Sequence, residues 1–412
     1  MCAAPNHRGR PFRPRLRPTA ALVVAGACAI GLIAGPAQAD GPHPDSKPRP
    51  DSQTHPDNNR HDRALREALQ GLVGPPDGPP GAIAVLQRGK HVKVYRAGVA
   101  DLESGRPPHP DDHMRVASIA KAYSGSVALQ LVDRGKLRLD DTIGKRLPAL
   151  PKAWHKVTLR QLLQHTSGLP DFTEEPGFQE AVAADPRRVV DSRRLLDFVA
   201  DEPLRFKPGS RYRYSNSENI AVALMAEAVT GRPYEELLRR LVYRPLGLRN
   251  TSLPRGHLLP RPYVHGYAFE PGQPPEDVST AFSASWFWAS GGVVATPNDM
   301  NVFMRAHAGG ALLSKATRKQ QTKWVNGSSV NPGPGRNKAG LALFQYTTRC
   351  GVVYGHTGTI PGYSQFAAAT PDGKRSVAVS VNTQLSQQET PELLAKLRKV
   401  QEDFVCELFR RR

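Results

Sequence analysis

Strand-like runs occur near both ends of this chain, with a long helical stretch between them. Ala82 to Leu86 and Val92 to Tyr95 read as two strands joined by a turn near Gly89. After Pro297 the pattern returns to sheet: Leu341 to Phe344, Gly351 to Thr357, Tyr363 to Ala369 and Ser376 to Val381 all read as strands, the last two joined by a turn at Pro371 to Lys374. From about Leu137 to Pro275 the apolar spacing is helical, broken by loops. Strands at both ends with helices between suggest a sheet half made from both termini, with a helical half inserted. This is an α/β (α+β) arrangement, with a sheet half from about 62–136 and 280–412 and a helical lobe over about 137–279. With 412 residues, 39% apolar and 23% charged, the chain is long and apolar enough for a packed core of this kind. No internal repeat is present.

The N-terminus reads as a processing signal. Arg8, Arg10, Arg13, Arg15 and Arg17 form a basic region, Ala20 to Gly35 is an apolar run too short for a comfortable membrane span, and Ala37-Gln38-Ala39 supplies small residues for cleavage before Asp40. Residues 1–39 are thus expected to be a secretory signal and the mature chain to be secreted with no membrane span. An uncleaved anchor is the alternative. Residues 40–61, rich in Pro, Asp, His and Asn, read as a disordered linker. Export leaves Cys350 and Cys406, either a disulfide closing a loop of about 56 residues or two free thiols. The oxidising compartment and the even count favour the bridge.

The formal net charge is +19. Such a surface suits anionic surroundings, with anionic wall polymers as a candidate partner. The basic residues are scattered and form no recognisable nucleic-acid module, so no nucleic-acid partner is expected. No His-Glu-x-x-His or paired-Cys pattern points to zinc, and no metal or other cofactor is expected. Nor is there a Gly-x-Ser-x-Gly elbow.

Within the helical stretches, Asp62 is positioned to cap a helix bearing Leu65, Leu69, Leu72 and Val73 on one side. The helix after Ser118 carries Val127, Leu131 and Val132, ends near Gly135, and is too apolar for a surface position. Thr158 to Gln164 reads as a short helix, and Pro233 starts another after the Ala-rich helix that ends at Gly231. Thr390-Pro391-Glu392 opens a final helix.

Three short motifs carry chemistry. Ser118-Ile119-Ala120-Lys121 puts a hydroxyl and an amine one helical turn apart, on one face. The ammonium and the helix N-terminus both favour negative charge at the serine oxygen. In Tyr214-Ser215-Asn216 the phenol is a proton shuttle whose pKa a nearby Lys121 cation would lower, and Asn216 offers an amide donor to a substrate carbonyl. In His356-Thr357-Gly358, Gly358 lets a ligand approach an edge strand, Thr357 offers a hydroxyl to a carboxylate, and His356 adds a switchable positive charge. Affinity for free-carboxylate substrates is then expected to fall as His356 loses its charge with rising pH. The backbone N–H groups of Ser118 and Thr359 would form the oxyanion hole. His165 is either catalytic or pins the turn from His165 to Pro170, and Trp286-Phe287-Trp288 either shapes the pocket or is core.

These motifs, in this order, resemble the serine β-lactamase and penicillin-binding protein superfamily, whose marks are Ser-x-x-Lys, Tyr-x-Asn and Lys- or His-Thr-Gly. The likeness runs from about Ile83 to Leu408, and Tyr354-Gly355-His356-Thr357-Gly358-Thr359 is similar in particular to secreted actinomycete D-alanyl-D-alanine carboxypeptidases. The resemblance implies an antiparallel β-sheet flanked by helices with an inserted all-α lobe, the site lying between. It implies Ser118 as acylated nucleophile, Lys121 as the group that eases its ionisation, Tyr214 as proton shuttle, and Asn216, His356, Thr357, Gly358 and Thr359 on the substrate. It also implies a Cys350–Cys406 bridge. The expected activity is hydrolysis of peptidoglycan stem peptides through an acyl-enzyme, with trapping by β-lactams such as penicillins, in a chain expected to be a monomer. An esterase, a D-amino-acid amidase, a class C-like β-lactamase or a non-catalytic wall-binding relative are the alternatives. Two departures stand out. The strand before Cys350 reads Leu343-Phe344-Gln345-Tyr346, with no carboxylate-holding arginine until Arg349, and no glutamate stands where class A β-lactamases activate the deacylating water.

Overall fold

The computed structural model describes residues 56–75, 77–270 and 272–410. The signal segment and most of the linker expected over 40–61 lie outside the described residues. Helix α1 spans Pro56–Val73, so it starts before Asp62 and takes in the last six positions read as linker. Asp62 does not cap it. Its carboxylate accepts from Lys93 Nζ at 2.7 Å and Tyr95 Oη at 2.8 Å, tying the helix to the sheet.

Eight antiparallel strands form that sheet: β1 Gly81–Arg88, β2 His91–Gly98, β3 Val325–Asn326, β4 Arg336–Ala339, β5 Phe344–Thr348, β6 Gly351–Ile360, β7 Tyr363–Ala369 and β8 Arg375–Val381. Their order is β2-β1-β8-β7-β6-β5-β4-β3. The N-terminal hairpin thus joins the C-terminal strands through β1 and β8, with Val85 opposite Ala378. Alternation sorts the side chains. Phe366, Ala368, Val377 and Val379 pack with Leu65, Leu69 and Leu72 of α1 and with Leu394, Leu397 and Phe404 of the C-terminal helix. Ala367, Ala369 and Ala378 face the helical lobe.

The lobe is centred on α2 (Ala120–Asp133), α3 (Leu159–Leu163), α4 (Ser217–Thr230) and α5 (Tyr234–Leu238). Local signals set their ends. Thr158 and Gln161 form a reciprocal capping box on α3, and Gly231 closes α4 at φ +63°. Helix α2 is buried along nearly its whole length, as its apolar composition predicts.

The sheet does not resume at Pro297. Thr296 caps helix α6 (Pro297–Gly309) by accepting from Asp299 N, and α6 packs across β1, β7 and β8. A further helix, Lys315–Gln321, follows. Thr-Pro at a helix start is the local signal that the sheet reading overlooked. The strand expected over Leu341 to Phe344 begins only at Phe344. Leu341 N and Ala342 N instead bond the carbonyls of Gln321 and Leu163, with Ala342 at φ +51°. Strands β3 and β4 are short, polar and half-exposed, so they carry no alternation to read.

The last helix, α7 (Pro391–Phe409), is joined to the β5–β6 turn by a Cys350–Cys406 disulfide, as parity and compartment suggest. Arg349 pairs with Glu402 and Asp403 beside it. Among the described residues, no helix is long and apolar enough to cross a membrane. The bridge closes a loop of 56 residues, so Cys350→Ser/Cys406→Ser is expected to lose about 2–4 kcal/mol of stability. Chemical denaturation read by circular dichroism measures this, and an unchanged midpoint would show that the bridge contributes nothing.

Candidate active site

The nucleophile candidate sits where the sheet meets the lobe. A short 3-10 turn, Ala117–Ile119, leads into α2, and Ala117 holds φ +51°, a costly conformation for a residue with a Cβ. The turn packs against β6. Strand β5 pairs with β6 only as far as Gly355, so the outer edge of His356–Ile360 carries no strand partner. That edge lies against the serine: a Cβ on Gly358 would stand 2.4 Å from Val116 O and 3.1 Å from Ser118 N. Only glycine fits there, and Gly358 lies against the backbone of Ser118.

Lys121 is fully buried. Its Nζ lies 2.7 Å from Asn216 Oδ1, 2.7 Å from Ser290 O and 3.1 Å from Ser118 Oγ. Burial pushes its pKa down to about 7, against the opposing pull of Asp171 and Glu218. A neutral amine has two protons and one lone pair. The two short contacts take the protons, and the lone pair is left for the hydroxyl of Ser118.

Tyr214 behaves otherwise than predicted. Lys121 does not lower it. Burial raises its pKa far above the ordinary phenol value, and the neighbouring Ser118 offsets only part of that rise. The Tyr214 hydroxyl is buried with no hydrogen-bond partner, and Lys121 Nζ lies 4.9 Å from the ring centroid. Burial thus favours the neutral phenol, and of the two groups Lys121 is the one brought toward neutral pH.

Asn216 also has its amide protons engaged. Nδ2 donates to Asp171 Oδ2 at 2.9 Å and to Thr173 Oγ1 at 3.1 Å, while Oδ1 accepts from Lys121. Its contact is with the lysine rather than with an open substrate position.

His356 departs most from expectation. Its side chain points into the interior of the sheet's lobe-facing side, edge-on to Phe344 at 4.8 Å, with Nδ1 bonded to Thr357 O and Nε2 without a partner. Burial, with Lys121, His165 and His307 nearby, holds its pKa well below the ordinary histidine value. Burial thus disfavours its charged form, which runs against the carboxylate switch expected of it. Thr357 faces the other way, and its Oγ1 is taken by a loop. Ser329 Oγ lies 2.5 Å away, and Asn331 O accepts from Thr357 Oγ1 at 2.9 Å. Thr359 stands half-exposed on the free edge, with its hydroxyl buried and unpartnered.

His165 pins its turn. It holds φ +57°, its carbonyl accepts from Arg213 N, and its ring stacks 4.4 Å from Tyr214. Burial drives its pKa down to about 3 and raises that of Glu218, its Nδ1 partner, far above the carboxylate range. Burial therefore disfavours charge on both partners of this pair. Trp286 and Trp288 are core, and Phe287 is half-buried. Sequence reading did not single out Asp171, Thr173, Glu218, Ser290, Ser329 or Asn331. Only Asp171 carried a signal, since it directly follows the turn that ends at Pro170. Among the described residues no cluster of His, Cys, Asp or Glu has metal-binding geometry.

The beta-lactamase family model matches residues 65–402. The chain belongs to the beta-lactamase family. A solved D-stereospecific amidohydrolase from Streptomyces sp. is 31% identical, with a TM-score of 0.71, covering 82% of this chain and 98% of that one. The D-amino acid amidase of Ochrobactrum anthropi SV3 shares the fold, with a TM-score of 0.73, 23% identity, and coverage of 84% and 99%. Among curated proteins, a penicillin-binding protein of Bacillus subtilis is 24% identical over 72% of this chain and 66% of its own. Esterase EstB of Burkholderia gladioli is 34% identical over 52% and 54%. The chain thus spans two-thirds or less of the length of these curated relatives. The family is that of serine hydrolases with an antiparallel sheet and a helical lobe, as the motifs imply.

If Lys121 is the base, kcat/KM rises with pH and levels off above about 7, because only the neutral amine accepts the Ser118 proton. Lys121→Arg, which stays charged, should lose about a thousandfold or more in kcat/KM. A pH-independent rate between 5 and 8 would remove Lys121 from this role.

Proposed function

We propose that this chain is a secreted serine amidohydrolase that forms an acyl-enzyme on Ser118 and prefers small amides, esters or peptides whose leaving group bears no free carboxylate. D-configured amino-acid amides are the leading substrate class. The supporting observation is the state of Thr357. A hydroxyl has one proton, and here Asn331 O and Ser329 compete for it. A carboxylate arriving at Thr357 would meet the Asn331 carbonyl oxygen, while His356 lies on the opposite face of β6 and Arg349 is committed to Glu402 and Asp403. A desolvated carboxylate without a cation or donor is costly. A neutral amide or ester makes no such demand. The Streptomyces amidohydrolase likeness, over nearly the full length of both proteins, points the same way.

The reaction follows from the protonation states. Lys121 takes the Ser118 proton as Oγ attacks the substrate carbonyl carbon. The oxyanion forms against the backbone N–H groups of Ser118 and Thr359. Tyr214 donates its proton to the leaving nitrogen or oxygen as that bond breaks, and the Lys121 ammonium reprotonates the phenolate once the leaving group has gone. Water then attacks the acyl carbon and gives a proton to neutral Lys121, and as the bond from the acyl carbon to Ser118 Oγ breaks, the Lys121 ammonium returns that proton to Oγ and the acid leaves. Asn216 and Ser290 hold Lys121 in place, and Asp171 holds Asn216.

D-Alanyl-D-alanine carboxypeptidase activity is the second reading. It is favoured by the His-Thr-Gly motif and by the disulfide at the position the resemblance implies. A steady-state comparison separates the two. We expect kcat/KM for D-phenylalanine amide to exceed that for a peptide ending in D-Ala-D-Ala by at least about tenfold, and Ser118→Ala to abolish both by about a thousandfold or more. A preference for the D-Ala-D-Ala peptide, together with a stable penicillin adduct by intact mass, would return the enzyme to the carboxypeptidases. For any carboxylate-bearing substrate, KM should show no rise across the ordinary histidine range, near pH 6.5, because burial holds the His356 pKa well below it.

A further inference from the structure

Away from the catalytic groups, the helical lobe carries a groove of about 630 Å³ bounded by Arg239, Arg244 and Arg249, with Tyr243, Leu248 and Leu253 along its wall. Among the described residues the three guanidinium groups make no ion pair or hydrogen bond. All three are exposed. Their neighbours differ. Arg232 and Arg240 share Glu236, and Arg193 is held by Glu227. The one acid on the groove, Glu235, accepts from Trp288 Nε1 at 2.8 Å and faces Arg193. It does not neutralise the three arginines.

A local irregularity brings them together. Helix α5 passes into a π-helical turn over Arg239–Tyr243, where Arg244 N donates to Arg239 O. In a regular α-helix, residues five apart diverge around the axis. A wider i→i+5 turn places them nearly one above the other, and such turns concentrate at functional sites. Gly247, at φ +66°, then ends the helix, and Leu248 N bonds back to Tyr243 O, which returns the chain so that Arg249 joins the same groove. Three unpaired cations on one concave strip repel each other, so the arrangement has a cost unless an anion joins them.

We propose that this groove docks one strand of a polyol-phosphate polymer, a linear phosphodiester that carries no bases. Guanidinium forks pair bidentately with phosphate oxygens, and a phosphodiester stays fully ionised at every physiological pH. Three successive cations match a repeating anion. The strip is concave and its leucines are buried or half-buried, which fits a single chain better than the plane of a bilayer.

The test is fluorescence anisotropy with a labelled poly(glycerol phosphate) oligomer. The variant is Arg239→Ala/Arg244→Ala/Arg249→Ala. The control is Lys90→Ala/Lys319→Ala/Lys396→Ala, which removes the same charge from exposed positions elsewhere. The arginine variant should bind at least tenfold more weakly and lose about two to three from the slope of log K against log salt. The lysine control should change less than twofold. Turnover of a small neutral ester should be unaffected in both, which reports an intact fold. Equal losses in the two variants, or no binding by the unaltered protein at low salt, would overturn the proposal. So would tighter, arginine-dependent binding to phosphatidylglycerol vesicles or to single-stranded DNA.

Discussion

The chemistry of this protein depends on one buried amine. Lys121 lies between α2, α4 and the Ser290 carbonyl, where its charged form loses hydration that three neutral partners only partly replace. The acids within range, Asp171 and Glu218, are too few to restore the ammonium, and Glu218 is itself held neutral by burial. The result is an amine near its titration point at neutral pH, beside a hydroxyl. The shifts of Tyr214, His165 and His356 share that cause, since all are enclosed at the junction of sheet and lobe. Desolvation there disfavours charge on each of these groups, and lysine is the one that gains a basic lone pair as it loses its charge.

The second constraint is the alternation of β6. Consecutive residues of a strand face opposite sides. His356 therefore enters the lobe side, and Thr357 faces the side where the Ser329–Asn331 loop lies. The same alternation that lets Gly358 approach the nucleophile prevents His356 and Thr357 from presenting a charge and a hydroxyl to one ligand group. The loop is held in turn by Tyr212, whose hydroxyl bonds Ser328 O, by Asn331 Nδ2 on Leu385 O at 3.0 Å, and by Arg398 on Pro332 O at 3.1 Å. Selectivity against carboxylates, as proposed, is thus a property of residues far from the motif in sequence.

Much of the architecture was legible without coordinates. The hairpin at Gly89, the buried helix after Ser118, the capping box at Thr158 and the end of α4 at Gly231 are all written in local periodicity and capping chemistry. The errors lay where local signals compete or fade. The Thr296–Pro297 start lost to the expectation of more sheet, and the polar edge strands β3 and β4 have no apolar alternation to detect. Leu341 to Leu343 have strand propensity but bond the lobe instead.

The sequence alone determined which residues meet: Ser118 and Lys121 by helical spacing, the Gly358 edge by its motif, and Cys350 with Cys406 by parity in an oxidising compartment. What it could not determine was their charge and their hydrogen-bond occupancy. Those depend on how much water is removed around each group and on partners distant in the chain, such as Ser290 for Lys121 and Ser329 for Thr357. Desolvation and long-range pairing exist only once the chain is packed. The tertiary structure therefore shifts the lysine toward its neutral form, raises the tyrosine and disfavours charge on the histidine, and the proposed roles of base and proton donor rest on those shifts.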